Sequence, residues 1–300
     1  MLTVIIASYN HEKYIEECLY NASLIKVDNK KIVIIDDGST DRTPQIVKQF
    51  IAAHKLENEI ELIEKPNGGL ISSLIIAVKI ISTPYVYFSA SDDIPVSSGI
   101  EQLIKQLEKD REASFIIGGA FNLFDNGRKI PTYTKEHNRF FLLDFEQQQK
   151  HLYLNYPHPI LFQSSVFRTS VIRAVGGWDQ DVQLDDYSMF IKLFEYNFER
   201  RIKTPFYPET ICAIYRHHDS NSYKNTLRQF QMVTQALMKY APPQYLKEAI
   251  SNVASSYLLT SLRMGNFASV VAIFKLINKQ HLGFVFLSGI RKVINKVFNI

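Results

Sequence analysis

Residues 34 to 41 of this chain read Ile34-Ile35-Asp36-Asp37-Gly38-Ser39-Thr40-Asp41. The apolar residues before the two acids predict a buried strand, and the glycine after them breaks it. Ser39 or Thr40 is a candidate cap for the helix that follows. Ligands of open α/β sheets bind at the carboxyl ends of the strands. The paired Asp36 and Asp37 therefore predict a site for a ligand rich in NH and OH donors, or for a metal ion.

Length and composition limit the class of protein. The 300 residues, 46% of them hydrophobic, suit one large α/β domain with an appendage, or two domains. Cys18 and Cys212 are the only cysteines, so we expect a reducing compartment and no disulfide framework. The first predicted strand begins at Leu2, so we expect no signal peptide. No window of 18 uncharged apolar residues predicts a transmembrane helix, so we expect a cytoplasmic protein.

The net charge of +4 is distributed unevenly. From Lys224 to the last residue there are ten Lys or Arg and one acid, Glu248, so this tail carries +9 and residues 1–223 carry −5. A basic, apolar-rich helical tail on an acidic body predicts contact with an anionic membrane surface. No zinc-ligand spacing or aromatic-and-basic stacking motif accompanies the charge, so nucleic acid is not an expected partner.

Strands and helices alternate through the first part of the chain. The predicted strands are 2–7, 31–35, 59–63 and 85–89, and the predicted helices are 11–22, 43–53, 70–81 and 97–109. Four strand–helix units in series favour a parallel, doubly wound sheet with right-handed crossovers. The carboxyl ends of these strands would then share one edge of the sheet.

This alternation ends at about Ala113. The Asn126-Gly127 turn predicts a hairpin over 115–133. From Lys224 onward the pattern is helical, with Pro242-Pro243 and Gly265 as breaks. Further predicted elements are helices over 144–155 and 185–196 and strands over 164–167 and 210–215.

Polar groups follow the strands or occupy turns throughout the chain. They are Ser8-Tyr9-Asn10, Asp36-Asp37-Gly38-Ser39, Asn67-Gly68-Gly69, Ser91-Asp92-Asp93, Gly176-Gly177-Trp178-Asp179 and Asp185-Asp186. Each one alone is explained by a turn or a helix cap. However, four successive strands deliver such a group to the same edge of the sheet, which a chance accumulation of caps explains poorly.

This ordered set resembles the family 2 glycosyltransferases with the GT-A fold, over roughly residues 2–222. The resemblance implies a Rossmann-like, mostly parallel sheet with helices on both faces, followed by a helical C-terminal extension. It also implies inverting transfer of a sugar from a nucleotide-sugar donor to a hydroxyl. The expected parts are a nucleotide-sugar-binding half at 1–112, an acceptor-binding and catalytic half at 113–223, and a basic helical region at 224–300.

The resemblance assigns a set of residues to the donor, for which UDP-hexose or UDP-N-acetylhexosamine is expected. Asp36 and Asp37 can accept the N–H of a pyrimidine and the hydroxyls of a ribose, with Asp37 the expected base contact. A helix opened by glycines can approach a nucleotide closely. The assigned residues are Ser8, Tyr9, Asn10, Asp36, Asp37, Asn67, Gly68, Ser91 and Asp92.

A divalent cation, Mn²⁺ or Mg²⁺, is also implied, with Asp92, Asp93 and His218 as its ligands. The cation would neutralise the charge that develops on the departing diphosphate. The family commonly has Asp-x-Asp-Asp where this chain has Ala90-Ser91-Asp92-Asp93, so Ala90 replaces the first acid.

A second segment supports this assignment. Tyr215-Arg216-His217-His218, followed by Ser220-Asn221-Ser222, resembles the late Arg-x-His segment of the family. Arg216 can pair with phosphate oxygens. His217 is the alternative to His218 near the metal.

The catalytic base is expected in the Asp185-Asp186 pair. Inversion requires a carboxylate within hydrogen-bond reach of the acceptor hydroxyl. By resemblance, Asp186 is the base and Asp185 is its neighbour or a helix cap. Gly177, Trp178 and Asp179 are candidates for the acceptor site, because an aromatic face beside a carboxylate suits a sugar ring. A Trp178 packed in the core is the competing interpretation.

The expected acceptor is a saccharide or a lipid-linked saccharide in surface polysaccharide synthesis at the membrane. The alternative is an inactive glycosyltransferase-like protein that binds nucleotide sugars, which only Ala90 supports. A nucleotidyltransferase and a dinucleotide-binding dehydrogenase are disfavoured. The turn after the first strand, Ser8-Tyr9-Asn10-His11-Glu12, has no Gly-rich or GxGxxG loop.

Overall fold

A computed structural model describes residues 1–218, 225–277 and 282–298, with side chains as far as Ile290. The Ser220-Asn221-Ser222 segment and Lys224 lie outside the described residues. The chain forms two compact units. One is Met1–Leu142 with Pro157–Asp219, and the other is Leu143–Tyr156 with Ser220–Ile300.

The first unit is built on a mixed sheet, which has nine strands among the described residues. They are β1 Leu2–Ser8, β2 Lys30–Asp36, β3 Ile60–Glu64, β4 Tyr85–Ala90, β5 Ile94–Pro95, β6 Phe115–Leu123, β7 Lys129–Pro131, β8 Ser165–Arg168 and β9 Phe206–Arg216. Their order is β3-β2-β1-β4-β8-β6-β9-β5, with β7 paired to β6. The first four strands are parallel, as predicted, whereas β8 runs antiparallel between β4 and β6.

The helices complete an α/β fold, which confirms the predicted fold class. They are α1 Ile15–Ser23, α2 Thr43–His54, α3 Leu70–Ile80, α4 Ser97–Lys109, α5 Lys135–Leu142, α6 Phe145–Leu154, α7 Thr169–Ala174, α8 Asp186–Arg200, α9 Thr226–Tyr240, α10 Pro243–Arg263, α11 Phe267–Leu276 and α12 Leu282–Phe298. The apolar face of α1, which includes Cys18 and Leu19, packs into one core cluster with strand residues such as Val4 and Ile34. Burial of these faces is the main force that holds the helices on the sheet.

The register of the parallel strands sets the edge at which the polar residues meet. Ser8 lies opposite Asp36 on one side, and Ala7 lies opposite Ala90 on the other. The ladder extends past the strand ends, since Asp37 N donates to Ser8 O over 2.8 Å and Ser91 N donates to Ala7 O over 3.0 Å. The residues that follow β1, β2 and β4 therefore lie at one level.

Two glycines allow close approaches that a side chain would prevent. Gly38 has φ +74°, and a Cβ there would lie 2.7 Å from the amide nitrogen of Asn67, so the loops after β2 and β3 touch. A Cβ at Gly99 would lie 1.8 Å from the carbonyl oxygen of Ile211, so α4 packs directly on β9.

The start of α2 differs from the prediction. Neither Ser39 nor Thr40 caps the helix, because it begins only at Thr43. Thr43 N instead donates to Asp41 Oδ1 over 2.9 Å. Ser39 bonds back to Asp36, which holds the loop before the helix in place.

The second unit is a helical assembly that includes α6. Phe230, Leu258, Ile273 and Val285 from α9 to α12 share one core. Asn252 of α10 donates from Nδ2 to the carbonyl oxygen of α6 residue Leu154 over 3.1 Å. None of the helices in the described part of the chain combines the length and apolar character that crossing a bilayer requires.

Candidate active site

The loops after β1 and β2 are tied together by side chain to main chain hydrogen bonds. Asn10 adopts φ +54°, and its Oδ1 accepts from Thr40 N over 2.8 Å. Its own amide donates to Ser39 Oγ over 2.8 Å. Asn10 therefore shapes this edge of the sheet, while Tyr9 beside it is exposed.

Asp36 and Asp37 are both buried, and both accept hydrogen bonds from loops. Asp36 accepts from the amide and the hydroxyl of Ser39, over 2.8 and 2.6 Å. Asp37 accepts from the amides of Gly68 and Gly69 over 2.8 Å each and forms an ion pair with Lys65. A carboxylate offers about four lone-pair directions. The two acids thus order the loops and still have acceptor positions left.

The remaining donor-site candidates have contrasting environments. Asn67 and Gly68 are exposed at the start of α3, whereas Ser8 and Ser91 are buried. Ser8 Oγ has no hydrogen-bond partner among the described residues. Buried hydroxyls are normally paired, so the Ser8 hydroxyl is an exception that leaves one hydrogen bond unmade.

His11, Asp92 and His218 converge on one point, with one ligand atom of each within 4.8 Å of the others. Nε2 of His218 lies 2.8 Å from Asp92 Oδ2, and Nε2 of His11 lies 3.7 Å from the same oxygen. The three residues come from the β1 loop, the β4 loop and the end of β9. We call them the His–Asp–His group.

The orientation of His11 is fixed by Ser91, whose Oγ lies 2.7 Å from Nδ1. Burial lowers the pKa of the His11 imidazole, and His218 adds to this effect against the opposing charge of Asp92. The neutral ring is the form that binds metals.

Aromatic and cationic side chains support the group from one side. The ring of Tyr14 stacks on His218 with centroids 5.0 Å apart, and the guanidinium of Arg216 lies 5.1 Å from the Tyr14 centroid. Arg216 also donates to the carbonyl oxygen of Asp92 over 3.0 Å and to Glu17 over 2.6 Å. These contacts fix the backbone of Asp92 against the end of β9.

The structure distinguishes between the two adjacent histidines. The ring of His217 stacks on Phe124 at 4.5 Å and contacts Asn122 Oδ1 over 2.9 Å. His218 instead contacts Asp92. Of the two candidates, His218 is therefore the one beside the acidic motif.

Asp93 lies outside the His–Asp–His group. Its carboxylate accepts from Gln163 Nε2 over 2.8 Å and from the amide of Arg216 over 2.9 Å. Burial raises the pKa of Asp93 well above its usual range, and the charge of Asp92 adds to this effect. Asp92 and Asp93, both predicted as metal ligands, therefore face different partners. Asp92 contacts His218, whereas Asp93 contacts Gln163.

Asp185 and Asp186 stand at the start of α8, as predicted. Asp186 Oδ2 accepts from the amide of Phe162 over 3.3 Å. Burial raises the pKa of Asp186 well above its usual range, and the charges of Asp185 and, to a smaller extent, Asp93 add to this effect. Asp185 occupies the N-cap position of α8, but its side chain makes no capping bond in the described part of the chain.

Trp178 is placed differently from its predicted role as a sugar platform. The residue is only 6% exposed, and its ring contacts Phe88 and Phe162 with centroids 5.3 and 5.2 Å apart. Its Nε1 donates to the carbonyl oxygen of Asp185 over 3.1 Å. The interpretation of a packed core Trp is therefore the one that fits, because the indole supports the start of α8 instead of facing solvent.

The neighbours of Trp178 are engaged as well. Gly177 is buried, with φ +62°, against Val78. Asp179 forms an ion pair with Lys192 at 3.3 Å, and Lys192 also donates to the carbonyl oxygen of Gly177 over 2.6 Å. This turn is fixed to α8 by its own contacts.

Sequence reasoning missed two residues of the site. His11 directly follows the polar group at the end of the first strand, so its position was a signal that could have been used. Gln163 gave no such signal, because a lone Gln beside a short predicted strand has no motif around it.

Comparison with known proteins now decides the family. The model of "Glycosyl transferase family 2" matches residues 3–174, more than half of the chain. The chain belongs to glycosyltransferase family 2. This confirms the resemblance that the sequence motifs gave.

Individual relatives are distant. A chondroitin synthase of Pasteurella multocida is 24% identical over 264 residues, which cover 85% of this chain and 25% of the synthase. The chain spans between 25% and 40% of the length of the first three curated relatives that it matches.

Solved structures share the fold. A mannosyltransferase of Pyrobaculum calidifontis in complex with GDP-Man and Mn²⁺ aligns with TM-score 0.61 and 17% identity, over 99% of this chain and 87% of that one. S. aureus TarS in complex with UDP-GlcNAc aligns with TM-score 0.60 and 15% identity, over 91% and 90% of the two chains. At these identities the similarity shows the GT-A fold.

Proposed function

We propose that this chain transfers a sugar, with inversion, from a nucleotide-diphosphate donor to a hydroxyl of a saccharide or lipid-linked saccharide, in surface polysaccharide or glycan synthesis. One observation carries the proposal. The short segment Phe162-Gln163 bonds to Asp186 through one residue and to Asp93 through the next. A buried candidate base and the acidic motif beside the His–Asp–His group are thus held by a single piece of backbone.

The proposed donor is a UDP-hexose or a UDP-N-acetylhexosamine. Its nucleotide would lie on the edge formed by the loops after β1, β2 and β3, where acids suit a ligand rich in NH and OH groups. Ser8, Asp36 and Asp37 contribute free acceptor positions there. Structural neighbours in complex with GDP-Man or UDP-GlcNAc support a nucleotide sugar in general.

The His–Asp–His group fits a divalent cation. Ligand atoms about 2.1 Å from a metal lie about 3 Å apart when they are adjacent in octahedral coordination. The separations of 2.8 and 3.7 Å from Asp92 Oδ2 lie on either side of that value. Two imidazoles and one carboxylate suit Mn²⁺ better than Mg²⁺, which prefers oxygen ligands and bound water. The cation, when bound, supplies positive charge to the leaving diphosphate.

The other residues near the group have supporting roles in this proposal. Asp93 holds Gln163 and the end of β9, and Arg216 holds the backbone of Asp92. These residues keep His11, Asp92 and His218 at one point without coordinating the ion themselves.

Asp186 is the proposed base, which takes the proton of the acceptor hydroxyl. Its raised pKa makes it a stronger base than an ordinary aspartate. Asp185 is its charged neighbour, and Trp178 positions both through the hydrogen bond to Asp185 O. The acceptor would lie near the Gly177 to Asp179 turn, without stacking on the buried Trp178.

The proposed place of action is the inner face of the cytoplasmic membrane. The basic C-terminal region supports this, since each Lys or Arg near an anionic surface contributes about 1 kcal/mol. A lipid-linked acceptor would be found at the same surface.

Binding and turnover assays test the proposal in two steps. Thermal-shift measurements with UDP, dTDP and GDP sugars, with and without Mn²⁺, identify the donor through its stabilisation of the fold. Hydrolysis or transfer of that donor is then measured for the chain, for Asp186→Asn and for the exposed control Asp28→Asn. We expect loss of activity only in Asp186→Asn.

The outcomes separate the two candidate functions. No stabilisation by any nucleotide would contradict the donor site itself. Stabilisation without turnover, in the presence of Mn²⁺ and acceptors, would instead favour the inactive, nucleotide-sugar-binding alternative that Ala90 suggests.

A further inference from the structure

Exposed apolar side chains are concentrated in the last helices. Half of the large apolar residues that are exposed in the described part of the chain lie between Leu262 and Ile290. Large exposed apolar patches mark interaction sites in most proteins that carry them.

Helix α11 has one buried face and one exposed apolar face. Ile273 and Ser269 are buried on the inner face. Phe267, Val271 and Phe274 follow one another at i, i+4 and i+7, so they share the outer face, and all three are exposed. Phe267 is 68% exposed. An outer face made of two phenylalanines and a valine is unsuited to water.

The beginning of α12 repeats this arrangement. Val285 is buried against α10, where Ser255 donates its hydroxyl to the Val285 carbonyl oxygen over 2.7 Å. Phe286, Leu287 and Ile290 are exposed, Leu287 to 68%. One side of the helix is therefore anchored to its unit and the other side presents apolar groups.

The charged residues from Arg263 onward are all basic. Arg263 and Lys275 are exposed beside the two ends of α11, and Lys247 lies over the ring of Phe284 at 4.4 Å. After Glu248 the sequence contains no Asp or Glu. A partner must therefore offer both apolar contact and negative charge.

We propose that the outer face of α11 and the exposed residues of α12 insert into the headgroup boundary of an anionic phospholipid bilayer. This rests on the membrane location within the proposed function and deepens it, because it assigns the contact to apolar insertion and not to charge alone. A bilayer of anionic lipid meets both requirements at once. Face-to-face packing of two copies would instead bring like charges together.

The contributions of the basic residues and of the apolar face to membrane binding should depend differently on salt concentration. Attraction between Lys or Arg and anionic headgroups is screened as the ionic strength rises, whereas burial of apolar side chains is not. Binding to anionic vesicles should therefore weaken at high salt but persist, and vesicles of phosphatidylcholine alone should bind the chain far less.

The experiment uses the full chain, because α6 belongs to the same unit as α9 to α12 and removal of residues 224–300 would uncover it. Co-sedimentation with phosphatidylglycerol-containing vesicles is measured for Phe267→Gln, Val271→Gln and Phe274→Gln combined in one variant. The matched control is Leu142→Gln, an 85% exposed leucine in the other unit. A third variant combines Arg263→Gln with Lys275→Gln.

We expect the α11 variant to bind at least about tenfold more weakly at both low and high salt. Leu142→Gln should bind as the unaltered chain does. The charge variant should bind more weakly than the unaltered chain at low salt and differ little from it at high salt. Thermal unfolding checks that each variant is folded.

Two results would overturn the proposal. One is unchanged vesicle binding by the folded α11 variant. The other is a dimer of the unaltered chain, detected by light scattering, that the same substitutions dissociate, because the face would then be covered by a second copy. Donor hydrolysis without vesicles is measured in parallel, so a failure at the active site is distinguished from a failure at the membrane.

Discussion

Gln163 donates a hydrogen bond from Nε2 to Asp93 Oδ2 over 2.8 Å, and both side chains are buried. The amide of the preceding residue, Phe162, donates to Asp186. The segment between α6 and β8 therefore links the proposed base to the acidic motif after β4. Its geometry explains how two buried carboxylates with raised pKa values are held near one another without an ion pair.

Replacement of Gln163 should disturb both the fold and the activity. In Gln163→Ala the carboxylate of Asp93 loses a donor while it stays buried, which costs about 1–3 kcal/mol of unfolding free energy. Activity should also fall, because Asp93 holds the end of β9 that carries His218. Urea unfolding and donor turnover measure the two effects. Gln147→Ala, at an exposed position, should change neither, and equal stability of both variants would contradict the role of Gln163.

Metal binding should depend on His11 as well as on Asp92 and His218, which the sequence motifs indicated. We expect His11→Ala to weaken Mn²⁺ binding about tenfold or more and Asp92→Asn to remove it, since each change deletes one of three ligands. Calorimetric titration with Mn²⁺ measures the affinity directly, without substrate. His54→Ala, on the exposed side of α2, is the matched control. Unaltered affinity in His11→Ala would remove this residue from the site.

As the pH is lowered, activity should be lost at a higher pH than it would be with an ordinary aspartate as the base. Asp186 works as a base only when it is ionised, and burial together with Asp185 raises its pKa above the usual value of about 3.9. Activity therefore appears as the pH rises through this elevated pKa. In Asp185→Asn one repelling charge is lost, so the acid limb of kcat/KM should move to lower pH. If the acid limb of kcat/KM does not move in Asp185→Asn, burial alone would account for the raised pKa of Asp186.

The part of the fold in which strands and helices alternate could be predicted from the sequence, because the signals for these elements are local. Apolar strands, amphipathic helices and strand-end acids between Leu2 and Lys109 coincide closely with the observed elements. The placement of β8 between β4 and β6 depends on pairing between distant segments, which periodicity does not encode. The antiparallel strand could be recognised as a strand, but not located in the sheet.

Sequence motifs indicated individual candidate residues of the site, but they did not indicate the hydrogen bonds that these residues make. Motifs indicated Asp36, Asp92 and Asp186, which lie at the ends of elements as expected. They did not indicate that Asp37 would hold the loop before α3 or that Asp93 would accept from Gln163. Trp178 shows the limit most clearly, because burial against Phe88 is decided by tertiary packing and not by the turn that carries the residue.

Removal of the Asp186 charge should stabilise the fold while it abolishes transfer. The folded state raises the pKa of Asp186 above its unfolded value, so ionisation of this group costs stability as the pH rises from the unfolded pKa to the folded one. At neutral pH we expect Asp186→Asn to raise the unfolding free energy by about 0.5–2 kcal/mol, as at other functional sites where activity opposes stability. In acid, where the carboxyl is protonated in both states, the gain should vanish.

Asp37→Asn is the opposing control, since Asp37 accepts two loop amides and pairs with Lys65, and its replacement should destabilise the fold. Urea unfolding at both pH values measures the difference, and a destabilised Asp186→Asn at neutral pH would show that the carboxylate is held favourably and is not poised as a base.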